Sequence, residues 1–127
     1  MAAVVVLLVD DDFELRAILE MAASGLQDVE VLCAESGEQA LAIATARPVS
    51  FVLTDFRMDG MTGLDLLRQL QENEVWPALG AVVMSGEDDD DLSDRVKSAG
   101  ALDFWRKPLS AAKLRKFVGD LPTRWEK

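Results

Sequence analysis

Residues 51 to 63 read FVLTDFRMDGMTG. An apolar run of a buried strand's length is followed at once by Asp55, then by a loop holding Gly60, Gly63 and a further acid, Asp59. Working outward, FVLT (51–54) is the third of five short apolar runs, with VVVLLV (4–9) and VEVLC (29–33) before it and AVVM (81–84) and ALDFW (101–105) after it. Helical spacing fills the intervals. Leu15, Ile18, Leu19, Ala22 and Leu26 share one stripe, with Gly25 as a stop near its end. Ser36 and Gln39 have the spacing of a capping box ahead of Ala40, Leu41 and Ala44. Leu66, Leu67 and Leu70 mark a third helix, Leu92, Val96 and Ala99 a fourth, and Leu114, Phe117, Val118 and Leu121 a fifth. This strict alternation predicts one α/β domain spanning residues 1–127, a doubly wound five-stranded parallel sheet with helices on both faces.

Composition narrows the chemistry. The chain has 127 residues, half of them apolar, which is one domain's worth of core. A net charge of −10 argues against nucleic-acid binding, since phosphate contacts need clustered Lys and Arg. The basic residues gather late: residues 106–127 hold seven basic and two acidic side chains. A solvated helix face explains this, and a docking face would too. VVVLLV is stopped by Asp10, Asp11 and Asp12, so no bilayer span or secretory signal is read and a cytoplasmic location is expected. Cys33 is the sole cysteine and is expected to be a buried, unreactive thiol. The chain has no histidine, which removes imidazole metal sites, Ser-His-Asp catalysis and a phosphohistidine of its own.

In open parallel sheets, ligands bind beyond the carboxyl ends of the strands. There stand Asp10, Asp11 and Asp12 after the first strand, Asp55 after the third, Ser85 and Gly86 after the fourth, and Arg106, Lys107 and Pro108 after the fifth. Gathered carboxylates repel unless a cation neutralises them, and Mg²⁺ suits an all-oxygen set with room for waters and a phosphoryl group. With Lys107 as a fixed positive charge and Ser85 as a hydroxyl donor, the parts needed for phosphoryl transfer to a carboxylate are present. Each residue has an ordinary explanation alone: Asp12 as a helix cap, Ser85 as a loop hydroxyl, Lys107 as a surface charge. Their conjunction at four strand ends favours the functional reading.

The combination of LLVDDD, TDFRMDGMTG, VVMSG and RKPL resembles the receiver domain of two-component response regulators over essentially the whole chain. That resemblance implies a CheY-like, flavodoxin-like (βα)5 fold of strand order 2-1-3-4-5. It implies a signalling switch rather than a conventional enzyme, with Asp55 accepting a phosphoryl group from a sensor histidine kinase or histidine phosphotransfer protein. Asp11, Asp55 and the backbone carbonyl of Arg57 would hold Mg²⁺, with Asp10 assisting through water. Ser85 and Lys107 would bind the phosphoryl oxygens. Ser85 and Phe104 would form the switch that remodels the surface of the fourth helix, fifth strand and fifth helix, with phosphorylation-linked dimerisation as one consequence.

The sequence departs from the family pattern at Asp59, where many relatives carry proline, while the neighbouring Gly60 and Gly63 still permit tight turns. Arg57 and Glu87 occupy two variable positions and could pair across the site mouth. Trp105 is expected on the opposite sheet face from Phe104, as a core residue. Trp76 and Trp125 are assigned to packing, and the acidic run 87–91 to a helix N-terminus. Two rival readings fit these residues less well. A haloacid dehalogenase-type phosphohydrolase would use Asp10 and Asp12, but it lacks a later acidic pair and leaves Asp55 idle. A phosphorylation-independent scaffold would have no need of the retained acidic, hydroxyl and lysine positions. The short C-terminal stretch GDLPTRWEK leaves no space for an output domain within these residues; Met1 fits a natural start, and both a stand-alone regulator and a receiver belonging to a larger regulator or hybrid kinase are compatible with the sequence.

Overall fold

A computed structural model describes residues 4–86 and 90–125, without the side chains of 122–125. Strands β1 (Val4–Val9), β2 (Val29–Ala34), β3 (Phe51–Asp55), β4 (Ala81–Ser85) and β5 (Asp103–Arg106) alternate with helices α1 (Phe13–Ala23), α2 (Gly37–Ala46), α3 (Gly63–Glu72), α4 (Asp90–Ser98) and α5 (Ala111–Trp125). All strand pairs are parallel, in the order β2-β1-β3-β4-β5.

The continuous apolar run of β1 follows from burial on both sides. Successive strand residues point to opposite faces. Val5, Leu7 and Val9 therefore pack with Ala40 and Ala44 of α2, Leu66, Leu67 and Leu70 of α3, and Leu92 and Val96 of α4. Val4, Val6 and Leu8 pack with Leu15, Leu19 and Ala22 of α1 and Leu114, Val118 and Leu121 of α5. Each fully buried Leu or Val of these layers contributes about 1.5–3 kcal/mol of transfer free energy. This is what fixes three helices on one face and two on the other, and it leaves the strand ends to carry polar groups.

The helix ends show where local chemistry sets direction. Asp12 caps α1, its carboxylate accepting from the Glu14 N–H at 2.9 Å. Ser36 caps α2 by accepting from the Gln39 N–H, but the Gln39 side chain returns to the Glu35 N–H at 2.6 Å, one residue before the expected partner. The full reciprocal box is at α3, where Thr62 and Asp65 exchange backbone and side-chain bonds. Arg115 of α5 donates to the carbonyls of Ala22 and Ser24 at the end of α1. Gly25, at φ +83°, follows as the expected stop.

Three expectations need correction. The fifth strand starts at Asp103, not at 101, because the Ala101 N–H still bonds the Val96 carbonyl in the turn that ends α4. Cys33 is half-buried rather than buried, since β2 is an edge strand whose first five residues are partly exposed. Burial and the neighbouring Glu20 carboxylate push its thiol pKa up, so it remains a poor nucleophile. Trp105 does lie on the α5 face, edge-on to Phe117 at 4.9 Å, but it is half-buried and its indole N–H donates to Asp103. Trp76 packs beside Gly100. Glu87 and the first part of the acidic run, 87–89, lie outside the described residues, as does the Trp125 side chain; Asp90 and Asp91 open α4.

Candidate phosphoryl site at the carboxyl edge of the sheet

β1 and β3 are the adjacent central strands that deliver the acids. Asp10 leaves β1 with its N–H bonded to the Ala34 carbonyl, and its side chain is fully buried. A buried carboxylate needs donors. Asp10 has two: the Asp12 N–H at 2.8 Å from Oδ1 and the Lys107 ammonium at 2.8 Å from Oδ2. Asp12 is thus spent on the backbone, holding Asp10 with its N–H and α1 with its side chain.

Asp55 is the last residue of β3 and is 8% exposed. Its carboxylate oxygen lies 3.2 Å from Lys107 Nζ. Lys107 itself is placed by its backbone, whose N–H donates to the Ser85 carbonyl at 2.8 Å. Asp11 completes the cluster: one carboxylate oxygen from each of Asp10, Asp11 and Asp55 lies within 4.8 Å of the others, with Asp11 exposed. The cluster takes in Asp11 and not Asp12, so the D-x-D pairing of Asp10 with Asp12 is not what the fold assembles.

Burial pushes the Asp55 carboxyl above its ordinary range; Lys107 opposes this, Asp10 adds to it, and a backbone hydrogen bond from Arg57 opposes it again. For Lys107, burial alone would lower the pKa. The hydrogen bond to Asp10 and the charges of Asp55 and Asp10 outweigh it, and the net shift is upward. Three carboxylates against one ammonium leave two negative charges among these four groups. That remainder, in an all-oxygen donor set with one exposed member, fits a hard divalent cation such as Mg²⁺.

Of the other expected residues, Ser85 falls on the same edge, and Phe104 lies two residues before the end of β5. Ser85 ends β4 beside Arg106 of β5 and is 1% exposed. Phe104 is half-buried and packs on the α2–α4 side of the sheet, opposite Trp105. Arg57 is exposed on the loop after β3, as is Asp59. Gly60 holds φ +82°, as a turn there requires, and a side chain on it would point toward Glu38. Gly63 serves differently from expected: its φ is ordinary, but a Cβ would sit 2.7 Å from the Asp55 carbonyl oxygen. Sequence reasoning missed the role of the Asp12 N–H in aiming Asp10, although an acid two residues before a helix-capping acid is a known turn signal. It also gave Thr54 no role beyond the strand.

The family description "Response regulator receiver domain" matches residues 6–119. The DNA-binding transcriptional regulator NtrC of Klebsiella pneumoniae is 34% identical over 102 residues, 80% of this chain and 21% of that protein. The chain spans about a fifth of the length of this relative and of its Salmonella typhimurium counterpart. Among solved structures, a response regulator receiver protein from Pseudomonas putida superposes with a TM-score of 0.79 at 31% identity, covering 94% of this chain and 98% of that one. The chemotaxis protein CheY4 of Vibrio cholerae gives a TM-score of 0.81 at 25% identity, covering 91% and 96%. With an acidic edge cluster, a β2-β1-β3-β4-β5 sheet and a family match over nearly its full length, the chain belongs to the receiver domains of two-component response regulators.

Proposed function

We propose that Asp55 is the phospho-acceptor of a signalling switch, taking its phosphoryl group from a phosphohistidine on a sensor kinase or phosphotransfer protein. The observation that carries this reading is the convergence of Asp10, Asp11 and Asp55 within 4.8 Å, with Lys107 3.2 Å from Asp55. In the transfer, an Asp55 carboxylate oxygen forms the new P–O bond as the P–N bond to the donor imidazole breaks. The imidazole departs with the bonding pair and takes a proton from solvent. The phosphohistidine would lie outside these 127 residues, which contain no histidine.

Asp11, Asp55 and the Arg57 carbonyl would hold Mg²⁺, with Asp10 acting through water, and the ion would neutralise the phosphoryl oxygens. Lys107, already bonded to Asp10 and Asp55, adds a positive charge that stays in place as charge develops. The Ser85 hydroxyl would donate to a phosphoryl oxygen from the end of β4. Phe104 would then move toward the space that Ser85 leaves, altering the surface formed by α4, β5 and α5. The chain acts once on its own side chain, in keeping with a switch. No described helix is long and apolar enough to cross a membrane. A cytoplasmic location would follow from partnership with a sensor kinase.

Incubation with Mg²⁺ and acetyl phosphate, followed by intact mass measurement, tests this. One labile phosphoryl adduct is expected, absent in Asp55→Asn. An Asp55→Asn chain that labels as well as wild type would refute the assignment. A wild type that takes no phosphoryl group from acetyl phosphate or a phosphohistidine donor would leave a phosphorylation-independent scaffold as the better reading.

A further inference from the structure

We propose that Thr54 is a positioning residue for the acceptor: its buried hydroxyl fixes the peptide by which Asp55 leaves the strand. This rests on the receiver chemistry proposed above.

The β1–β3 ladder ends at the pair Val9 and Thr54, so Asp55 lies one residue beyond it on the β1 side. On the β4 side the pairing continues, with Asp55 opposite Met84 and the Phe56 N–H bonded to the Met84 carbonyl at 2.9 Å. The chain is therefore held on one flank while it turns into the loop. On the other, the Thr54 hydroxyl donates to the Asp55 carbonyl oxygen at 2.9 Å. Thr54 is fully buried.

A hydroxyl has one proton to give. The carbonyl at 2.9 Å is a far better acceptor than the Met58 thioether at 4.0 Å, so the sulfur is a packing contact that holds the loop against the same oxygen. Gly63 closes the far side. Its missing side chain lets the first residue of α3 approach the Asp55 carbonyl, where a Cβ would come within 2.7 Å. The Gly63 N–H also bonds the Phe56 carbonyl at 2.9 Å. The bond from Thr54 thus fixes ψ at Asp55 and the direction in which the chain departs toward Arg57. Arg57 in turn supplies a backbone hydrogen bond to the Asp55 carboxylate. A hydroxyl one residue before the acceptor places both ends of that local ring.

Two substitutions separate positioning from packing. Thr54→Val keeps the branched shape and loses the hydroxyl; Thr54→Ser keeps the hydroxyl and loses a methyl group. The rate of the Asp55 adduct with Mg²⁺ and acetyl phosphate is measured with amide hydrogen exchange at residues 56–63, using β1 amides as an internal check of folding. Thr54→Val is expected to slow labelling about fivefold, the scale of one lost hydrogen bond, and to speed exchange at 56–63. Thr54→Ser should stay near wild type in both. If serine is as impaired as valine, or if both label like a competent wild type, Thr54 has no positioning role. A wild type that takes no phosphoryl group sinks the receiver chemistry and this role together.

Discussion

At the amino ends of the central strands β1 and β3 neutral donors meet neutral acceptors, whereas at the carboxyl ends three carboxylates crowd one ammonium. Beneath the sheet, Ser50 accepts from the Val5 N–H at 2.9 Å and donates its own N–H to the Val5 carbonyl at 2.8 Å. Gln71 donates to the Ala99 carbonyl at 2.7 Å, and Gly100 leaves no space for a side chain beside Gln71 and Trp76. These bonds satisfy backbone groups and close the fold. At the opposite end, Asp10 and Asp55 are buried with like charge nearby, an arrangement that folding by itself does not favour. Sites that break the local rules of stability are where function is expected.

The comparison predicts effects of opposite sign. The largest belongs to Ser50→Ala, which strips the buried Val5 N–H of its acceptor and should cost about 1–3 kcal/mol. Urea denaturation would show the lower midpoint, and phosphoryl labelling of the folded fraction should be unchanged. An unaltered midpoint would mean that water or a shifted chain replaces the hydroxyl, and the amino end would be less closed than described. Next, Asp55→Asn should raise stability by about 1 kcal/mol when divalent ions are chelated, since it removes one buried charge from the cluster while Lys107 keeps Asp10. The corresponding rise in melting temperature is about 4 °C. A fall instead would show that the bond between Lys107 and Asp55 outweighs the repulsion, and the contrast between the two ends would be lost.

How much of this was legible beforehand depends on the range of the interaction. The apolar runs placed β1, β3 and β4 to within one residue, because burial on both faces leaves a continuous signal in one dimension, whereas β5, partly exposed at the sheet edge, was placed two residues early. The acids and Lys107 could be read as one site because strand ends converge in any parallel sheet. What stayed hidden depends on distances shorter than a residue. The spacing of Ser36 and Gln39 marked a helix start, yet the Gln39 oxygen chose the Glu35 N–H, a matter of side-chain reach. Gly63 read as turn freedom, and its real use is a close approach to a backbone that the sequence does not show. Cys33 looked buried because VLCA is apolar, but the edge position of β2 follows from strand order and not from local pattern.

The smallest effect tests the β2 edge itself, which has neither the packing of the amino end nor the charge crowding of the site. Arg47, at the end of α2, holds Glu30 of β2 with two hydrogen bonds, 2.9 and 3.0 Å, and both side chains are well exposed. The hydrogen bond from Arg47 keeps the Glu30 carboxyl below its ordinary 4.5, against a smaller opposing effect of burial. A carboxyl whose pKa is depressed in the fold stabilises it fully above the ordinary value, and the contribution disappears as pH falls through the depressed one. Arg47→Ala should therefore lower the urea midpoint slightly at pH 7, by less than either substitution above, and the difference should shrink as pH falls below 4.5. A difference that persists unchanged into acid would assign Arg47 to packing along the strand edge, and the pair would then belong with the neutral amino end rather than between the two.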